Sequence, residues 1–210
     1  MFTKRIAFSS TGRKRKVSAP ALQEKFLSIT DRTRLNKNQV LPFLLYWSGR
    51  RDCIGVLRGA SRMAVQESIV DEEVRKTMEL VPILDAIGTP YHVELSVTEL
   101  TPNVFDLSSV EEVGRYGELD RDDDVSRGLN FHYPRCCIDA WVADEAAGRE
   151  KFPRFEAMRR KHNIETAYVL HIPCSSGCEP TLVQAREYME FTRRNFPRLA
   201  EYLERNRFGE

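Results

Sequence analysis

Four of the five cysteines fall in two tight groups, Cys136-Cys137 and Cys174-Ser175-Ser176-Gly177-Cys178, with Pro134 and Pro180 beside them. Proline is best tolerated in the first turn of a helix, where its missing N–H has no intrahelical partner to lose. Each proline therefore predicts a helix start, with Cys136 and Cys137 inside the first turn of one helix and Cys178 just before the first turn of another. Helix starts present unpaired N–H groups and a positive dipole end, which stabilise thiolate. A fold that uses these cysteines jointly must bring two helix starts to one point. His132 and His171 flank the groups, in His132-Tyr133-Pro134-Arg135-Cys136-Cys137 and His171-Ile172-Pro173-Cys174.

Sulfur and imidazole donors at this density suit a metal, an iron–sulfur cluster or a reactive thiol. The candidate ligands are Cys136, Cys137, Cys174, Cys178, His171 and His132. Adjacent helical residues point about 100° apart, so the spacing predicts that only one of Cys136 and Cys137 faces the site. That cysteine, Cys174 and Cys178 would be completed by His171, His132 or an external ligand. Three cysteines with a histidine suit closed, structural zinc; three with an open position suit a cluster or a metal that binds substrate. The chain lacks the Cys-x-x-Cys knuckles of zinc ribbons and the Cys-x-x-Cys-x-x-Cys run of ferredoxins, so zinc and iron–sulfur both stand. Asp139 is the candidate catalytic group, with redox or sulfur chemistry as the expected class; its ordinary role is to complement its own helix dipole. Two other classes are open: a metal-free thiol enzyme, and a nucleic-acid or protein-binding module braced by zinc or by packed, inert cysteines.

A chain of 210 residues buries a sizeable core without a metal or disulfide, so a metal here acts as a local organiser or functional group. The odd number of cysteines argues against a disulfide framework. The 32 basic and 31 acidic residues nearly cancel, which removes any global charge signal for nucleic acid or membrane. No apolar run reaches the length of about 20 residues needed to span a bilayer. The basic N-terminus has no apolar core and cleavage site of a secretory signal. The expected location is cytoplasmic.

The expected fold class is α+β or α/β, a helix-rich single domain with a small sheet. Residues 1–20 form a basic arm: Met1 to Gln23 carries six Lys or Arg and no acid, four of them in Arg13-Lys14-Arg15-Lys16. A weak phosphate-backbone contact is the partner this arm suggests. Residues 21–98 read as an α/β part. It has helices at Ala21–Ile29, Val40–Trp47 and Asp71–Ile87, a short strand at Cys53–Leu57, and an alternating strand at Tyr91–Val97. Residues 99–128 read as an acidic linker: between Glu99 and Asp124 nine acids face two arginines, with at most a short helix at Ser109–Val113. Residues 129–210 carry the Cys/His site, with helices at Pro134–Ala147, Phe152–His162, Pro180–Phe191 and from Pro197 to Arg205, and a β-favouring run at Ala167–His171.

The segments Phe131–Trp141 and His171–Thr181 resemble a domain-of-unknown-function family of archaea and bacteria that pairs Tyr-Pro-x-Cys-Cys with His-x-Pro-Cys-Ser-x-x-Cys. The resemblance covers roughly the last 80 residues and implies that the two segments work as a unit; it brings no activity. One departure is Thr181, where the resemblance leads to serine; the hydroxyl is kept.

Overall fold

Apolar residues recurring at helical spacing build most of the core. The computed structural model describes residues 4–10, 17–32, 35–51, 79–88, 91–97, 105–109 and 124–206, with side chains at 17–32, 35–51, 79–88, 125–126, 128–129 and 131–206. Helix α1 spans Ala19–Thr30 and opens on Ser18, whose side chain accepts from the Ala21 N–H. Helix α2 spans Lys37–Trp47 behind a reciprocal cap between Asn36 and Gln39. Pro42 lies inside it. A helix-interior proline costs about 3 kcal/mol, whereas a fully buried Leu or Phe contributes about 1.5–3 kcal/mol. Leu41, Phe43, Leu44 and Leu45 are all fully buried, so packing outweighs the proline.

A helical segment at 79–87, α3, buries Leu80, Ile83, Leu84 and Ile87 and ends at Gly88, with φ +73°. Helix α4 is Asp124–Asn130, α5 Arg135–Ala146 and α6 Phe152–Lys161. A 3-10 turn at Glu165–Tyr168 leads to α7, Glu179–Asn195, and α8, Pro197–Arg205. Helix α7 packs on α8 and on the 3-10 turn, α1 reaches α8, and α4 lies on α5. Gly128 of α4 sits so close to α5 that a Cβ there would come within 2.7 Å of Ile138 Cγ1.

Polar links tie distant segments together. The Tyr202 hydroxyl donates to the Leu35 carbonyl at 2.7 Å and accepts from the Leu35 N–H at 3.0 Å. Tyr168, fully buried, donates to Glu204, both of whose carboxylate oxygens also accept from Arg193.

Asp144, buried on α5, accepts from Arg149 at 2.8 Å and pairs with Arg154 of α6. The Arg149 hydrogen bond is the largest influence on it; against the opposing effect of burial, the two arginines hold its carboxyl below the usual carboxylate range. A depressed carboxylate stabilises the fold fully above its unfolded value near pH 4, and that contribution is lost as pH falls through the lower folded value. Asp144→Asn is therefore expected to lower the urea midpoint at pH 7. The gap from wild type should narrow as pH falls below the ordinary carboxylate value of about 4; a gap unchanged throughout that acid range would refute this role.

The α+β expectation is corrected. Over the residues whose side chains are described, 72% are helical and none lies in a strand, so helices alone build the described core. Three extended segments, β1 (Lys4–Ser10), β2 (Tyr91–Val97) and β3 (Phe105–Ser109), pair antiparallel in the order β1-β2-β3, with Lys4 opposite Val97 and Tyr91 opposite Ser109. They contribute no described side chain to that core. The run Ala167–His171 is not a strand either. Its first residues finish the 3-10 turn, and Ala167, Tyr168 and Val169 are buried by packing. A short, continuous apolar run cannot be told from a buried helical turn by periodicity.

The expected strand at Cys53–Leu57, most of the helix Asp71–Ile87, the basic run Arg13–Lys16 and the acidic run from Asp120 lie outside the described residues, except that 79–87 and Asp124 are described. Among the described residues no helix is long and apolar enough to cross a membrane.

Candidate metal centre

Pro134 is the N-cap of α5 and Cys178 the N-cap of α7, so both helix starts lie where the prolines place them. The fold brings them together. Cys178 Sγ stands 3.6 Å from Cys137 Sγ and 3.7 Å from Cys136 Sγ, and Cys136 and Cys137 are 4.0 Å apart. With Cys174, the four sulfurs lie within 4.8 Å of one another. Cys137 and Cys178 are buried, Cys174 is half-buried and Cys136 is exposed, and all four are free thiols.

Both adjacent cysteines reach the cluster, contrary to the expectation that one would point away. Around the helix axis they diverge by about 100°. Every Cα–Cβ bond also tilts towards the helix N-terminus, so first-turn side chains lean past the end of the helix and converge beyond it.

Thr181, fully buried in the first turn of α7, joins the sulfurs to His171. Its hydroxyl donates to Cys178 Sγ at 3.2 Å. The same oxygen lies 3.3 Å from Cys137 Sγ and 2.9 Å from His171 Nε2. A hydroxyl has one proton and two lone pairs. With the proton given to Cys178, the oxygen accepts from the Cys137 thiol and from an Nε2–H tautomer of His171. The Cys174 N–H adds a donor to Cys137 Sγ at 3.4 Å.

This network separates the thiols by charge. At Cys178 burial opposes ionisation, but the Thr181 hydroxyl and N–H, with the Cys174 and Cys137 thiols, outweigh it and bring the thiol down to about 7. Burial pushes Cys137 well up, and burial with the neighbouring thiols pushes Cys174 up to about 11. The arrangement thus favours a thiolate at Cys178 over one at Cys137 or Cys174.

His171 and His132 lie outside the group of four sulfurs. His171 stacks on Tyr133, ring centroids 4.8 Å apart. Burial, then the charges of Arg51 and Lys37, lowers its pKa to about 4, so the imidazole is neutral at pH 7. Arg51 is 3% exposed, lies against the Phe131 and Tyr133 rings, and donates to the Phe131 carbonyl at 2.9 Å.

His132 closes α4. Its φ is +58°, its N–H bonds to the Leu129 carbonyl, and the next N–H, of Tyr133, bonds to the Gly128 carbonyl. That is the paired ending that usually takes glycine at the left-handed position, as Gly148 does after α5. His132 also lends its carbonyl to Gln184 of α7 at 2.7 Å. His132→Gly is expected to raise stability by about 1 kcal/mol through relief of backbone strain, with metal content unchanged; loss of metal would instead assign the imidazole to the centre. Asp139 pairs with Arg135 at 2.8 Å on the exposed face of α5.

The sequence held no signal for Lys37 and Arg51, which arrive from the N-terminal half, and Thr181 was legible only as a retained hydroxyl. No family model, no characterised protein and no solved structure matches this chain.

Proposed function

We propose that the four cysteines bind one zinc ion in a closed site that pins the start of α5 to the start of α7. The sulfur spacing carries this reading. A tetrahedral ion with Zn–S bonds of about 2.3 Å holds its sulfurs about 3.8 Å apart, and three of the pairs here measure 3.6, 3.7 and 4.0 Å. An iron–sulfur cluster interposes several irons and sulfides between its cysteines, and sulfurs all within 4.8 Å of one another favour a single ion over it. Donors from Thr181 and from the Cys174 N–H suit thiolates, and the positive charges of Arg51 and Lys37 felt at His171 favour a centre with net negative charge. Four thiolates leave no open position for substrate, so the role is organisational: the ion holds α5, which lines a cavity through Cys137, Ile138 and Trp141, against the start of α7.

Metal and acid-labile sulfide analysis with a visible spectrum, on protein purified without oxygen, tests this. The expected result is about one zinc per chain, no sulfide and no colour, with a tetrahedral thiolate spectrum after cobalt replacement. Iron with sulfide would overturn the reading in favour of a cluster. No metal at all would overturn it in favour of reactive or inert thiols.

A further inference from the structure

We propose that the cavity beside the cysteine centre binds a small aromatic molecule bearing one anionic group, with Lys37 as the counter-charge. The cavity has a volume of about 390 Å³, within the range of about 300–1,000 Å³ for small-molecule sites. Its walls are largely aromatic, from Phe131, Tyr133, Trp141 and Phe155, and Cys137 and His171 close the side nearest the sulfurs. Phe152 also lines it yet is 65% exposed, which places the mouth there.

Lys37 is the charged group in this lining. Its ammonium donates to the Thr166 carbonyl and lies 4.5 Å from the centre of the Phe155 ring. Neither partner is anionic, and among the described residues no carboxylate pairs with it. An ammonium has three donors, and a half-buried charge without an opposite charge carries a desolvation cost. Burial alone pulls Lys37 down to about 7, and an anion beside the amine would favour its charged form. Lys151, the other lysine nearby, is taken up by Glu145 and the Trp141 ring. A carboxylate or sulfonate reaching Lys37 would complete its charge while a flat apolar body met the aromatic walls.

This site goes beyond the zinc reading and does not require it. The test uses fluorescence titration of the purified full chain with 1-anilinonaphthalene-8-sulfonate and with uncharged N-phenyl-1-naphthylamine, zinc being assayed on the same samples. Both probes are expected to saturate at one site per chain. Lys37→Met should weaken the anionic probe about tenfold or more, the scale of one charge-assisted hydrogen bond, and leave the neutral probe within about threefold; Lys37→Arg should restore the anionic probe. On wild-type protein, 1-naphthoate should displace the anionic probe at least about ten times better than 1-naphthamide, on the same scale. Absence of saturable binding, equal displacement by acid and amide, or an anionic-probe affinity indifferent to Lys37→Met would overturn the proposal. The zinc assay reports separately on the metal reading.

Discussion

Cys178→Ser is expected to release the metal and loosen both helix starts. Cys178 is 4% exposed and within 3.7 Å of two partner sulfurs, so its thiol cannot be replaced from solvent without moving α7. Substituting residues that only orient a metal's ligands lowers affinity about 10–100-fold, and losing a ligand should exceed that. A 100-fold loss of affinity corresponds to about 2.7 kcal/mol of stability when the ligand is in excess. Serine is close in volume to cysteine, so the apolar contacts survive and metal-free protein should melt almost as wild type does. The check is zinc content with thermal unfolding, before and after chelation. A variant that kept its zinc, or melted with wild type in excess zinc, would sink the metal assignment.

Thr181→Val should have the next largest effect, because it keeps the shape and deletes the hydroxyl that three groups share. The His171 N–H would be left buried without an acceptor, at a cost of about 1–3 kcal/mol, and zinc affinity should fall about 10–100-fold. Thr181→Ser, which keeps the hydroxyl, should stay close to wild type. Equal affinity in all three proteins would show that the hydroxyl only fills space.

These substitutions rest on contacts that the sequence shows in very different degrees. Helices with Pro180 or Pro197 in their first turn, or that end at Gly88 or Gly148, were legible because caps, prolines and left-handed stops act within a few residues. The cysteine groups were legible as a unit, since soft donors at helix starts are unusual for packing alone. That both Cys136 and Cys137 join was not, because angular spacing around a helix ignores the lean of first-turn side chains beyond its end. The ending at His132 was hidden because a left-handed residue there is a backbone conformation, and glycine is its usual sign.

By itself the sequence determined several helix boundaries, such as the starts beside Pro134, Pro180 and Pro197 and the stops at Gly88 and Gly148, and which residues carry soft donors, since capping and 3.6-residue periodicity act over one or two turns. Tertiary packing decided the rest. It set the two helix starts against each other, placed Thr181 among sulfurs and imidazole, and brought Lys37 and Arg51 from the other half of the chain towards His171. It also turned Ala167–Tyr168 into a buried 3-10 turn and left the described core to helices. Such long-range contacts follow from the total apolar surface buried and the polar groups satisfied, which no local pattern encodes.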